Sequence, residues 1–259
     1  MKEVIRKIII VVLLGVIVYS GYNIVKIIAD YSKGDNFYEE TRQEFYVENE
    51  TAQHNDEKNI SAGTGEAEQI PLENQIDFEK LKAVNEDIEG WIRIEDTNID
   101  YPVLKSKKSN DDYIHTSYDG KYSGFGSVFV DYRNSSDFED KNTIIYAHNM
   151  KNGAMFNNIT KYRKNDFASS HKIIRLLTKN GEEDYMVYSA YKTLANSQSY
   201  DYSFKVDNAF SEFVDMTNRN SIIDTGEKAT SEDKIITLST CTDTGRTANR
   251  FVVHAKLIK

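Results

Sequence analysis

The sequence predicts a mainly β domain, a barrel or closed sandwich of about eight strands with a few peripheral helices. Three observations carry this. Short runs rich in β-branched and aromatic residues recur from residue 90 onward, each bounded by Asn, Asp, Gly or Ser. Only two amphipathic stretches interrupt them, "GAMFNNITKY" and "DNAFSEFVDMTN". The composition, 39% hydrophobic and 12% aromatic with 13 Gly and 2 Pro, is globular and long enough for one sizeable domain plus accessories.

The elements follow in chain order. Residues 1–7 carry Lys2, Arg6 and Lys7 against Glu3 and read as a cytoplasmic N-terminus. "IIIVVLLGVIVYSGYNIVKIIA", residues 8–29, has the length of a membrane-crossing helix, with Lys26 placed to snorkel at its far end. No small-x-small cleavage site follows, which favours an anchor over a removed leader. Residues 30–70 hold eleven acidic against three basic residues, so the basic flank stays inside and the rest of the chain faces outward. An acidic stalk is expected over 30–71. Phe37, Tyr38, Thr41 and Phe45 at helical spacing predict a short helix over 35–50, and residues 50–70 lack apolar periodicity and read as a flexible linker. The domain is expected over 72–259. In "DFEKLKAVNEDIEGW", Phe78, Leu81, Val84 and Ile88 share a helical face, with Gly90 as the stop. The strand runs are then "WIRI", "NIDYPVL", "GSVFVDY", "NTIIYAH", "KIIRLL", "DYMVYSAYK", "KIITLSTC" and "RFVVHAKLI".

The net charge of −9 argues against a nucleic-acid partner, which would require a basic face. No metal-ligand spacing, phosphate loop or G-x-S-x-G elbow is present, and no cofactor is implied. What remains is a single thiol. In "KIITLSTC" the period of two places Ile235, Thr237, Ser239 and Cys241 on one face, increasingly polar toward the strand end. A lone cysteine is more often a small buried hydrophobe than a nucleophile, and nucleophilic work needs a proton-shuttling partner. Of the five histidines, His54 falls in the linker, His115 and His171 read as loop or helix-end residues, and His254 lies inside the last strand. His148 ends the strand "TIIYA" and opens the turn "HNMKNG", the same strand-end placement as Cys241. Arg250 stands just before "FVVHAKL", and Arg246 lies in the preceding loop. A guanidinium cannot serve as a base but can hold a carbonyl oxygen as it gains charge.

"TLSTC" followed by an arginine just before an apolar strand resembles the sortase signature, and "IIYAHNMKNGAMF" resembles the histidine segment of class B sortases. The similarity extends through "GWIRIEDTNIDYPVL" and "GSVFVDYRN", about residues 77–259. The resemblance implies a closed eight-stranded β-barrel and a cysteine transpeptidase. Cys241 would be the nucleophile, His148 the general acid/base, and Arg250 the group steadying substrate and oxyanion. Ser239 would line the substrate groove, with Tyr200 or Tyr202 in the loop that binds the sorting peptide. The implied partners are secreted proteins bearing a C-terminal, NPxTN-like sorting signal and an amine of the cell-wall precursor. Two departures stand out: Ala147 where family members commonly have Gly, and a variable Cys-to-Arg loop that leaves Arg246 as the lesser candidate. An exported cysteine hydrolase with the same trio, or a tethered scaffold that kept the fold around a buried thiol, are the rival readings. The joint presence of Cys, His and Arg argues against the scaffold.

Overall fold

A computed structural model describes residues 2–46, 76–242 and 248–258, in two compact units, Met1–Glu40 and Thr41–Lys259. His54, Arg246 and the linker expected over 50–70 lie outside the described residues. Helix α1 (Lys2–Phe45) runs without a break through the segment where the spacing predicts a separate short helix. Within it, Lys2–Lys26 has a mean hydropathy of 2.4 and is long and apolar enough to cross a membrane. The last residues of α1 belong to the second unit. There Phe45 is fully buried with its ring edge-on to Tyr118, and the Tyr46 hydroxyl donates to the Asp100 carboxylate at 2.7 Å. Trp91 Nε1 and Arg93 Nε donate to the same carboxylate, which ties the helix end to the first two strands.

The strands are β1 (Ile88–Arg93), β2 (Asp100–Lys105), β3 (Val128–Val130), β4 (Asn142–Tyr146), β5 (Ile173–Thr178), β6 (Gly181–Leu194), β7 (Ile235–Cys241) and β8 (Asn249–Leu257). All eight expected runs form strands. They close into a barrel in the order β1-β2-β3-β4-β7-β8-β6-β5, which settles barrel against sandwich. The pairs β2–β3 and β4–β7 are parallel. Parallel neighbours need long crossovers: β2 reaches β3 through the extended connection 106–127, and β4 reaches β7 by way of β5, β6 and a second long connection, 195–234. The second carries a 3-10 helix (Gln198–Tyr200) and helix α4 (Ala209–Asn220), the amphipathic stretch expected there. "GAMFNNITKY" becomes a 3-10 helix, Phe156–Arg163, followed by the short α3 (Asn165–Ser170).

The sequence expectation fails at the start of the domain. Helix α2 spans only Phe78–Val84, capped by Asp77, whose side chain accepts from Lys80 N, and by Asn85. Ile88 continues the helical spacing but belongs to β1, and Gly90 sits in that strand rather than stopping a helix. Its reason is space: a Cβ there would stand 3.0 Å from the Phe138 ring and 3.1 Å from the Leu177 carbonyl oxygen.

An eight-stranded barrel fills its interior with side chains, so α4 packs outside. Its Phe210, Phe213 and Val214 form one buried cluster with Tyr188 and Ile235. Ile235, Thr237, Ser239 and Cys241 therefore face outward, and Ile236 and Leu238, both fully buried, face the interior. His254 opposes Thr237 in the register and is fully buried beneath this cover. Asn142 Nδ2 donates to the Asp201 carbonyl, so Asn142 Oδ1 accepts the Thr237 hydroxyl at 2.7 Å. With that proton committed, His254 Nδ1 donates to Thr237 Oγ1 (2.8 Å) and its Nε2 accepts from Tyr191 (3.0 Å). His254 is thus a satisfied, neutral core histidine, and burial pushes its pKa down to about 3.

That depression has a sign. Unfolded, the imidazole titrates near about 6.5, so between there and about pH 3 the unfolded chain binds one more proton than the native one. Stability is full above that window and falls by about 1.4 kcal/mol per pH unit on acidification through it. Urea unfolding of the full chain in detergent at pH 7 and pH 5 is expected to show a loss smaller by about 2 kcal/mol in His254→Gln than in the wild type. Equal losses in the two proteins would contradict this account of His254.

Candidate active site

The register assembles the candidate residues into rows across the outer face. Cys241 on β7 is directly opposite Arg250 on β8, which in turn opposes Thr193 on β6. On the other side, β4 runs parallel to β7 with Tyr146 beside Ser239. Ala147 N extends that ladder by donating to the Ser239 carbonyl at 3.3 Å, and Thr240 Oγ1 donates to the Ala147 carbonyl at 2.8 Å. Cys241 lies two residues on from Ser239 in β7, and His148 lies two residues past Tyr146, the end of β4, where the turn begins. Neighbouring strands are about 4.8 Å apart, so the three residues lie at one rim of the barrel, where an Arg250 Nη donates to the Asn249 carbonyl at 3.1 Å. Cys241 and Arg250 are half-buried rather than packed away. Ala147 has no positive φ, so its methyl group is accommodated at this position.

His148 is held in a defined orientation. Its Nε2 lies 2.7 Å from the Ile114 carbonyl oxygen. A carbonyl can only accept, so Nε2 carries the hydrogen and the neutral ring keeps its lone pair on Nδ1. Burial depresses the imidazole pKa below the ordinary histidine range, the Ile114 hydrogen bond partly restores it, and the neighbouring His115 lowers it further. The imidazolium is therefore a minority form at neutral pH and grows as the pH falls.

The barrel face next to Cys241 carries a cluster of phenols. Tyr200 hydrogen-bonds Ser239 Oγ at 2.8 Å and stacks on Tyr146 with centroids 6.0 Å apart. Its pKa is pushed up to about 12, chiefly by burial, with the Ser239 hydrogen bond and the Arg250 charge opposing and Cys241 adding to the rise. The phenol is neutral and lies within electrostatic reach of both Arg250 and Cys241. Tyr202 packs into the same cluster, its ring under the Arg133 guanidinium at 4.4 Å. Tyr146 in turn donates to the buried Asp131 carboxylate at 3.0 Å, which also holds Arg133.

The fold brings together every candidate the sequence singled out except Arg246, which is not among the described residues. His171 lies elsewhere, stacked on Phe167 at 3.9 Å. Three participants escaped sequence reasoning. Asn149 Nδ2 donates to the Cys241 carbonyl at 2.8 Å and is itself fixed by Asn157, pinning the His148 turn to the Cys241 strand end. Its place next to His148 was the available signal. The Ile114 carbonyl and the His115 ring come from the β2–β3 crossover, about thirty residues away, with nothing in the local pattern to mark them.

A closed eight-stranded barrel with a thiol, an imidazole and a guanidinium in register on one rim defines a cysteine-dependent transferase of the sortase type. A sortase-domain family model matches residues 92–258. Sortase B of Staphylococcus aureus is 39% identical over 183 residues, covering 70% of this chain and 75% of that protein. Sortase B of Listeria monocytogenes is 31% identical over 258 residues, 99% of this chain and 98% of that one. A solved S. aureus sortase B–substrate complex superposes with a TM-score of 0.66 at 39% identity, covering 70% of this chain and 84% of that one. The chain belongs to the sortase family, and within it to class B: it is a cysteine transpeptidase of the cell surface.

Proposed function

We propose that this sortase is held in the membrane by residues 8–29, with residues 1–7 in the cytoplasm, residues 30–71 as a stalk and the domain 72–259 outside. There it cleaves an NPxTN-like sorting signal after Thr and passes the protein to an amine of the cell-wall precursor. The observation that supports this reading is that His148, two residues past the end of β4, follows the Tyr146–Ser239 pair toward Cys241, which lies directly opposite Arg250 on the β7–β8 pair.

The Cys241 thiolate attacks the threonine carbonyl carbon, forming a C–S bond, and Arg250 steadies the oxygen as it becomes negative. His148 Nδ1, protonated at this stage, gives its proton to the leaving amine as the C–N bond breaks. The thioester waits until a second amine attacks. That amine's proton passes back to Nδ1, and the C–S bond breaks to return the thiolate. Tyr202, half-buried, lines the groove for the signal, and Tyr200 and Ser239, buried and hydrogen-bonded to each other, form its floor. Splitting one acyl transfer into two steps lets an amine compete with water.

The test is product analysis with the full chain in detergent, an NPxTN-type peptide and an amine acceptor, beside an LPxTG-type peptide. Peptide–amine product from the first peptide only is the expected result. Acid alone, in the presence of the amine, would mark a hydrolase, and transfer from the LPxTG-type peptide alone would overturn the assigned signal.

A further inference from the structure

The crossover between β2 and β3 places a second imidazole against the first. The His115 ring stacks on His148 with centroids 5.6 Å apart and planes 23° off parallel, and its other neighbour is the exposed Tyr122 ring at 6.2 Å. This is a built position. His115 follows Ile114, whose carbonyl takes the His148 Nε2 hydrogen. The surrounding backbone is tied by Ser123 N to the His115 carbonyl (3.0 Å), Ser127 N to the Tyr113 carbonyl (3.0 Å) and a Thr116–Tyr122 bridge.

We propose that His115 is a positioning residue for the transfer reaction: it packs on one face of His148, keeps that ring at the Ile114 carbonyl, and by its own charge governs how readily His148 takes up a proton. The proposal rests on the reading of His148 as the proton carrier. The groups around the pair are few. From the crossover come the Ile114 carbonyl and Tyr122, from the turn after β4 the neutral Asn149, from β7 Cys241 and from β8 Arg250. Among the described residues neither imidazole forms an ion pair with a carboxylate, so no such pair offsets the repulsion when both are protonated. At this separation two positive charges oppose each other by about half a pH unit in water and about two in partly buried surroundings. The depression that His115 imposes on His148 has the same sign. The device therefore acts on acidification. Where both rings would carry charge their repulsion opposes the second proton, and the acid needed by the leaving amine is withheld just where bulk pH would otherwise supply it.

The chain holds five histidines, so selective labelling of their ring Cε1 carbons resolves them individually. We would titrate the full chain in detergent as wild type, His115→Phe and His115→Gln. Phe keeps a flat ring on His148 without a charge, and Gln provides a polar, uncharged alternative if Phe disturbs folding. The expected result is a His148 titration moved upward by about half a unit or more in both, with the pH optimum of transfer moving the same way. An unmoved His148 titration in a folded variant overturns the proposal while leaving the role of His148 intact. A moved titration with an unmoved pH profile of transfer overturns the reading of His148, and with it the role given to His115.

Discussion

Replacing His148 with alanine is expected to lower kcat/KM for transfer by about 100- to 10,000-fold, the range typical of a general acid–base group. The expectation is geometric before it is chemical. His148 opens the turn that follows β4 beside the Cys241 strand, its Nε2 hydrogen is committed to Ile114, and its Nδ1 is left to handle the proton of the leaving and incoming amines. The loss should appear in kcat as well as in kcat/KM, because the proton is needed in the transition state rather than in binding. The Tyr200–Ser239 hydrogen bond on the neighbouring face is untouched by the change. A variant that keeps kcat and raises only KM would place His148 in peptide binding instead.

Gly126→Ala is expected to combine a stability loss of about 2–4 kcal/mol with a loss of transfer. Gly126 has φ +59, and a Cβ built there would stand 2.3 Å from the Ile114 carbonyl oxygen and 2.7 Å from that of Tyr113. Both contacts are with backbone, so no flexible side chain can swing aside. The chain must move the oxygen that orients His148, or open the crossover that carries it. Thermal melting should fall by about 5–12 °C, and the His148 ring resonance should shift even where the protein remains folded. Wild-type melting and wild-type transfer together would show that the crossover is softer than its hydrogen bonds imply.

Much of this architecture is legible in the sequence, for reasons specific to each element. The eight strands announce themselves because β-branched runs and turn residues are local properties, and the alternation in "KIITLSTC" correctly separates Ile236 and Leu238 from Thr237, Ser239 and Cys241. Barrel closure is not local: it depends on β1 pairing with β5 across some eighty residues, Trp91 opposite Leu177. The α2–β1 boundary misleads because Ile88 keeps the helical period by coincidence while its backbone already pairs with Leu104. Gly90 looks like a helix stop and is instead a strand residue crowded by Phe138.

The site divides in the same way. Cys241, His148 and Arg250 can be found because each stands at the end or start of a recognisable strand, and register then does the assembly. The Ile114 contact is invisible because a carbonyl oxygen has no residue identity. Gly126, which makes room for that oxygen, reads only as punctuation in "SGFGS". His115 reads as an ordinary loop histidine until the crossover folds it onto His148. The resemblance offers Tyr200 or Tyr202 for one role, and the structure packs both into one cluster with Tyr146 beside Ser239.

The central claim is that Cys241 carries the acyl group. It is tested most directly by mixing the full chain with an NPxTN-type peptide in the absence of added amine and measuring intact mass. The account predicts an adduct equal to the peptide's acyl portion on the wild type, mapped by proteolysis to the Cys241 segment, discharged when an amine is added, and absent from Cys241→Ala. Product formation by Cys241→Ala, or an adduct on any other residue, would contradict it.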